Sequence, residues 1–336
     1  MHRESPLRIF AFSTIGTALI VGAVLFNLGT AALVTTLTLL VIEVMFSFEN
    51  AIINAKVLTT LSRFWQTMFL SVGIIIAIFG MRIVFPIMIV AIATGLPWSE
   101  VVDLALHNPT EYAAQISTAE PVILAFGGAF LLMLAFAFFT DESNKILWWR
   151  APERLLKRLN TRWTPAIVTA GAIGAIALIS DHTSQVLTAG AVGIVTYIVI
   201  HGLTEIFSKL QGKTTNSKKV IQKTGMAAFI TFMYLEVLDA SFSLDGVIGA
   251  FAITEQVILI AAGLGAGALW VRSMTVYMVR RGTLGRYRYL EHGAHYTVLV
   301  LALVMLASLL VHLPEALAGL AGLVLIGSSI VASKKS

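Results

Sequence analysis

No cysteine occurs in the 336 residues, so the chain can form no disulfide, no thiolate metal site and no cysteine nucleophile. Charge is nearly as scarce. Asp, Glu, Lys and Arg make up 12% of the chain, against about 25% in a soluble domain. A soluble protein so poor in charge would not stay dispersed. The hydrophobic content of 57% and mean hydropathy of +0.87 point to lipid as its surroundings. There is no HExxH and no Ser/Lys or Ser/His pair at membrane depth, and no nucleotide-binding motif, so neither an enzyme nor a resident cofactor is expected. The net charge of +5 and pI near 9.5 could serve nucleic acid. The basic residues instead sit in loops between apolar segments, which points to membrane topology and to no nucleic-acid partner.

Apolar stretches recur over roughly 9–27, 31–55, 66–94, 120–140, 164–180, 186–207, 224–250, 256–279, 290–312 and 316–332. Each approaches the ~20 residues that a bilayer core requires. The expectation is an all-α polytopic transmembrane bundle of about ten spans, or nine if the first is removed as a signal sequence. Its apolar run is longer than the usual signal core of about 7–15 residues, which favours an anchor. With ten spans, Arg3, Arg8, Lys56, Arg63, Lys145, Arg150, Arg154, Lys157, Arg158, Arg162, Lys209, Lys213, Lys218, Lys219, Lys223, Arg280, Arg281, Arg286, Arg288, Lys334 and Lys335 all fall on one side. The other side has Glu100, Asp103, Glu111, Asp181, Glu255 and Glu315, and no Lys or Arg. The positive-inside rule then places both termini in the cytoplasm, as in a multi-pass protein of a bacterial-type inner membrane. The loop 95–119 leaves room for a short interfacial helix. Trp148, Trp149 and Trp163 among basic residues in 141–163 are suited to interfacial anchoring.

Within the apolar background one costly pattern occurs twice. Glu43-Val44-Met45-Phe46-Ser47-Phe48-Glu49-Asn50 and Asp239-Ala240-Ser241-Phe242-Ser243-Leu244-Asp245-Gly246 align at a shift of 196 positions. The shift sets carboxylate on carboxylate, Phe46 on Phe242 and Ser47 on Ser243. Ionisable groups at membrane depth are rare without a purpose. The next helix of each half ends in an arginine, Ala77-Ile78-Phe79-Gly80-Met81-Arg82 against Gly267-Ala268-Leu269-Trp270-Val271-Arg272, and Gly128-Ala129 has a weaker echo in Gly293-Ala294. The motifs lie five spans apart, so they cross the membrane in opposite directions. The expected organisation is one transmembrane domain over 1–336. It comprises a first repeat half (31–140), a linker with two spans (141–223), an inverted second half (224–312) and a final span and tail (313–336).

Helical geometry puts 43, 47 and 50 on one face, and likewise 239, 243 and 246. Glu49 and Asp245 point about a third of a turn away unless the helix is interrupted. Asn50 and Gly246 tolerate such an interruption. Glu43, Glu49, Asn50, Asp239 and Asp245, supported by Ser47, Ser243 and Gly246, form a set of hard oxygen donors suited to Mn²⁺, Mg²⁺ or Ca²⁺. Arg82 and Arg272 are the natural counterions, either as permanent packing pairs or as part of a working site. Two motif acids per half then outnumber its single arginine. Glu236, one turn before Asp239, joins the site or caps it. His201 with Glu205, and Glu291 with His292 and His295, are candidates for a proton relay or an inner vestibule, or are packing and interfacial residues. Asp141 and Glu142 read as a solvated helix end.

At these motifs, and at Arg280-Arg281-Gly282-Thr283-Leu284-Gly285 and Glu291-His292-Gly293-Ala294-His295, the chain resembles the TerC family of integral membrane proteins. The likeness is to its YkoY-like uncharacterised branch, grouped with the LysE-type exporters, and covers roughly 31–310. The resemblance implies manganese export or metal supply to exported enzymes, with Glu43, Glu49, Asn50, Asp239 and Asp245 as metal ligands. The chain departs from the family pattern in having Glu at 49, where Asp is common, and in its flanking spans. The expected function is divalent-cation transport, manganese export first, through a midplane carboxylate site with alternating access. The alternatives are an exporter of amino acids or small organic cations, or a non-transporting membrane scaffold docking through 141–163 and linked to metal supply or stress resistance. The expected partners are the lipid bilayer and a divalent metal ion, and the sequence gives no oligomeric state.

Overall fold

The structure is a computed structural model and describes residues 6–158, 161, 163–212, 222–311, 313–314 and 316–335. Of the loop charges named above, Arg3, Arg162, Lys213, Lys218, Lys219 and Glu315 lie outside the described residues. In chain order the first elements are α1 (Pro6–Phe46), α2 (Phe48–Leu58), α3 (Arg63–Ile75), a π-helical stretch (Ile76–Val84), α4 (Phe85–Thr94), α5 (Trp98–His107) and α6 (Pro109–Thr140). Then come α7 (Arg150–Arg158), α8 (Thr164–Ile179), α9 (Thr183–Gly212), α10 (Gly225–Ile253), α11 (Val257–Arg281), α12 (Thr283–Arg286), α13 (Leu290–Ser308) and α14 (Ala316–Lys335). No strand occurs among the described residues, only an isolated bridge between Leu61 and Lys223. Among the described residues, eight helices are long and apolar enough to cross a bilayer, and α8 is a shorter apolar helix. In hydrocarbon the backbone must satisfy its own polar groups, and helices do so within one segment. The chain is a multi-pass α-helical membrane protein.

Two compact units share the helices. The first takes in Met1–Glu120 and Ile200–Gly282, the second Pro121–Val199 and Thr283–Ser336. In the first unit, α1 is a pair of arms broken at Gly29, whose φ of 85° and ψ of −174° belong to a region open to glycine. Along the first arm, Phe10 stacks near Tyr277 and Trp270, and Thr17 accepts the Trp270 indole N–H at 3.0 Å. The numbering runs down α11. Along the second arm, Leu39 lies over Gly263 and Glu43 over Gly267, so the numbering runs up α11. The arms are therefore antiparallel.

Gly263 and Gly267 form a Gly-xxx-Gly step that lets two backbones approach closely. A Cβ at either would meet Leu39 and the Thr36 carbonyl, or the Glu43 side chain and the Leu40 carbonyl. Lys223 adds a loop tie. It exchanges backbone bonds with Thr60 and Ser62 and donates through Nζ to Thr231 at 3.1 Å, and burial holds its amine below the usual lysine range.

The segment 95–119 is almost wholly helical. It contains α5, and α6 starts at Pro109 rather than near 120, since proline is preorganised for a first helical position. The extra turns dock in the first unit, where Tyr112 packs edge-on to Phe251 and Thr110 donates to Glu255 at 2.7 Å. In the second unit, close approach again rests on small residues. A Cβ at Gly193 would meet Phe126, one at Gly128 would meet Leu306, and one at Gly322 would meet Thr297.

Candidate functional site

The buried charges of the two motifs all lie in the first unit. α1 ends at Phe46, and Ser47, with φ −106° and ψ 19°, offsets it from α2. The helix is thus interrupted at Ser47 and not at Asn50, which lies inside α2. The expected interruption at Gly246 is absent, because α10 runs unbroken from Gly225 to Ile253. Nothing there forces a break, since Gly246 keeps helical geometry and its missing side chain instead leaves room for Glu43. A Cβ on Gly246 would come within 3.2 Å of Glu43 Oε2. Further along, Asn50 Nδ2 donates to Asp239 Oδ1 at 2.8 Å. Glu43 beside Gly246 and Asn50 beside Asp239 show that the two motif segments pass each other in opposite directions.

Arg82 comes from the π-helical stretch, where the N–H of Phe85 reaches back five residues to the Gly80 carbonyl. Pro86 follows. It has no N–H, and its ring crowds the carbonyl four residues back, so a widened turn before it relieves the conflict. The Arg82 guanidinium donates to Glu43 and to the Ala77 carbonyl, and lies 3.8 Å from Asp239. Arg272, on α11, forks onto both oxygens of Glu236 at 3.2 and 2.9 Å and reaches Asp239 at 3.2 Å. It also donates to the Phe69 carbonyl at 2.9 Å and stands 4.2 Å over the Phe69 ring. Gly73 makes room, because a Cβ there would strike both Arg272 and Glu236. A buried pair of this kind resists loss of one partner, at a cost of about 3–5 kcal/mol.

Glu49 and Asp245 differ from the other acids. Among the described residues neither pairs with an arginine, and Glu49 is repelled by the charge of both Asp245 and Glu43. Glu43, Glu49, Glu236 and Asp239 are buried, while Asp245 and Gly246 are half-buried. Asn54 Nδ2 bonds Asn50 Oδ1 at 2.7 Å, and the Asn54 oxygen is buried without a hydrogen-bond partner. Five carboxylates therefore face two guanidinium groups. Among the described residues, no three His, Asp or Glu side chains converge as a ready-made metal cluster. The arginines take up the oxygens of the inner acids.

The supporting residues divide. The Ser47 hydroxyl bonds Glu43, whereas the Ser243 hydroxyl turns back to the Asp239 carbonyl of its own helix at 2.6 Å. His201 is exposed with its ring near Tyr234, and Glu205 is exposed and paired with Lys209. In the second unit, His295 stacks on Phe138 and bonds the Glu291 carbonyl, and His292 bonds the Ile146 carbonyl at 3.0 Å. His292 also approaches a residue that the sequence reading passed over. Glu153 is buried at 1% exposure, 3.6 Å from His292 Nε2 and bonded by the Tyr296 hydroxyl at 3.1 Å. Its flanks are Arg and Trp, which read as surface, so no local pattern marks it. Gly73 and Asn54 are two more such residues, and no local sequence pattern marks either.

Helices and site together define a multi-pass membrane protein with a buried arginine–carboxylate network. The chain belongs to the family described as protein of unknown function (DUF475), which matches residues 48–336. That match takes in Glu49, Asn50, both arginines and the second motif, and begins after Glu43. No curated protein and no solved structure matches the chain.

Proposed function

We propose that this protein carries a divalent cation, manganese first, across a bacterial inner membrane through the carboxylates of its two motifs, in the manner expected of a TerC-like transporter. The observation that carries the reading is the surplus of five carboxylates, four buried and one half-buried, over two guanidinium groups. Unpaired charge in a membrane interior must be neutralised by a proton or a cation. Glu49 and Asp245 hold the surplus, and half-buried Asp245 gives it a way in. For a cation to gain more carboxylate ligands, Arg82 must loosen from Glu43 or Asp239. Binding and arginine release are then one exchange.

An inverted repeat supports alternation of access. The shift of 196 positions turns the contact of Glu43 with Gly246 into that of Asp239 with Asn50, and both are present. It also maps Glu49 onto Asp245, which places that pair at the crossing of the two halves. If both arms of α1 and the shorter α8 each cross, the spans number ten, and the positive-inside rule then puts both termini on the basic, cytoplasmic side.

The test is flux of Mn²⁺ into vesicles containing the full chain, read with a trapped metal-sensitive dye. Glu49→Gln and Asp245→Asn should each lower flux at least about tenfold, the factor that 1.4 kcal/mol represents. Thermal stability should hold or rise, because each removes an uncompensated buried charge. Flux at the unaltered rate in both variants would overturn the reading. Competition by amino acids rather than by Mg²⁺ would replace it with an organic-solute exporter. A chain that moves nothing, yet whose cells need residues 141–163, would be a scaffold.

A further inference from the structure

The segment between α6 and α8 joins two apolar helices, so residues 141–163 are held at a membrane surface. Inside it lies α7. Arg150, Arg154 and Arg158 recur every fourth residue, which lines them along one face of the helix. All three are exposed, as are Ala151 and Leu155 beside them. Trp149 and Trp163 flank the helix at 46% and 59% exposure.

The helix has one acid, Glu153, and it is withdrawn. Its carboxylate accepts the backbone N–H groups of Trp148 at 3.1 Å and Trp149 at 3.0 Å and the Tyr296 hydroxyl. Lys157 is drawn to the same inner side, where it donates to the Asn144 carbonyl. Upstream, Asp141 is occupied by the backbone and hydroxyl of Ser143 at 2.8 and 2.7 Å. What α7 offers outward is basic and apolar.

We propose that this face of α7 docks onto anionic phospholipid headgroups of the leaflet on the basic side of the membrane. The three arginines meet the phosphates, and Leu155 and the tryptophans enter the headgroup layer. Charge complementarity argues for an anion. The short tethers to two membrane helices argue that the anion is lipid rather than a soluble polymer. Each basic residue near such a surface shifts the docked balance by about fivefold, so the stripe acts as a strong lipid-dependent clamp.

The absence of cysteine makes the test direct. Ala151→Cys gives the full chain a single thiol for a polarity-sensitive fluorophore, and the protein is placed in nanodiscs of phosphatidylglycerol or of phosphatidylcholine. The expected result is a blue-shifted label, several-fold less quenched by neutral acrylamide, in phosphatidylglycerol alone. Salt near 1 M should abolish the difference on the otherwise unaltered chain, since it shortens the screening length to about 3 Å. Arg150→Gln, Arg154→Gln and Arg158→Gln combined should abolish it too, and the matching Lys variant should keep most of it. Equal quenching in both lipids overturns the proposal, as does protection that survives salt or the triple Gln variant. Protection by a soluble polyanion in phosphatidylcholine, with none from phosphatidylglycerol, would overturn it in favour of an acidic macromolecule.

Discussion

Arg82 and Arg272 follow the two motifs at matching places, yet they are held differently. Arg272 has a forked partner in Glu236, a share of Asp239, a carbonyl and the face of Phe69. Arg82 has Glu43 and the Ala77 carbonyl, and only a longer approach to Asp239. The sequence supplies the cause. Shifting Glu236 back by 196 positions lands on Leu40, so the first half has no second acid one turn before its motif. Both carboxylate partners of Arg272 belong to its own half, while Arg82 has one from each half. The same pair of residue types is therefore forked onto one acid of its own half on one side and divided between the two halves on the other.

The largest expected effect comes from breaking the fork. Arg272→Met should cost about 3–5 kcal/mol, because it strands Glu236 and leaves Asp239 to Arg82. Arg82→Met should cost less, since Asp239 keeps Arg272 and Asn50. Midpoints of thermal unfolding of the purified chain would rank them, and a reversed order would erase the distinction. Next is Gly73→Leu, which fills the room taken by Arg272 and Glu236. Overpacking of this kind costs about 1–3 kcal/mol, and the same change at exposed-side Gly171, which faces open space, should do far less. The smallest effect should be at Ser243. Its hydroxyl serves only its own helix, so Ser243→Ala should stay within about 0.5 kcal/mol and leave Mn²⁺ flux intact. A large loss of flux would show the hydroxyl facing the cation.

The sequence made the costly residues visible because lipid leaves so few of them. Glu43, Asp239, Arg82 and Arg272 stand out from apolar surroundings, and the structure brings them together. Their pairing was less accessible. Glu236 could be placed near Asp239 by helical spacing, but its fork onto Arg272 depends on the gap at Gly73, which lies on a third helix. Residue type favours a break at Asn50, but the backbone turns at Ser47, four residues after Glu43, and Asn50 stays inside α2. Pro109 and Pro86 were readable signals for the start of α6 and for the widened turn. Glu153 was not readable, since Tyr296 and His292, which meet its carboxylate, lie far along the chain.

The wide turn carrying Arg82 has one more implication. A helix wound with i→i+5 bonds advances each side chain through a smaller angle than one wound with i→i+4 bonds. Rewinding Ile76–Val84 to the tighter form would turn Arg82 about the helix axis relative to Phe69 and Gly73 upstream. The direction in which Arg82 meets Glu43 is thus set by the winding of the backbone itself.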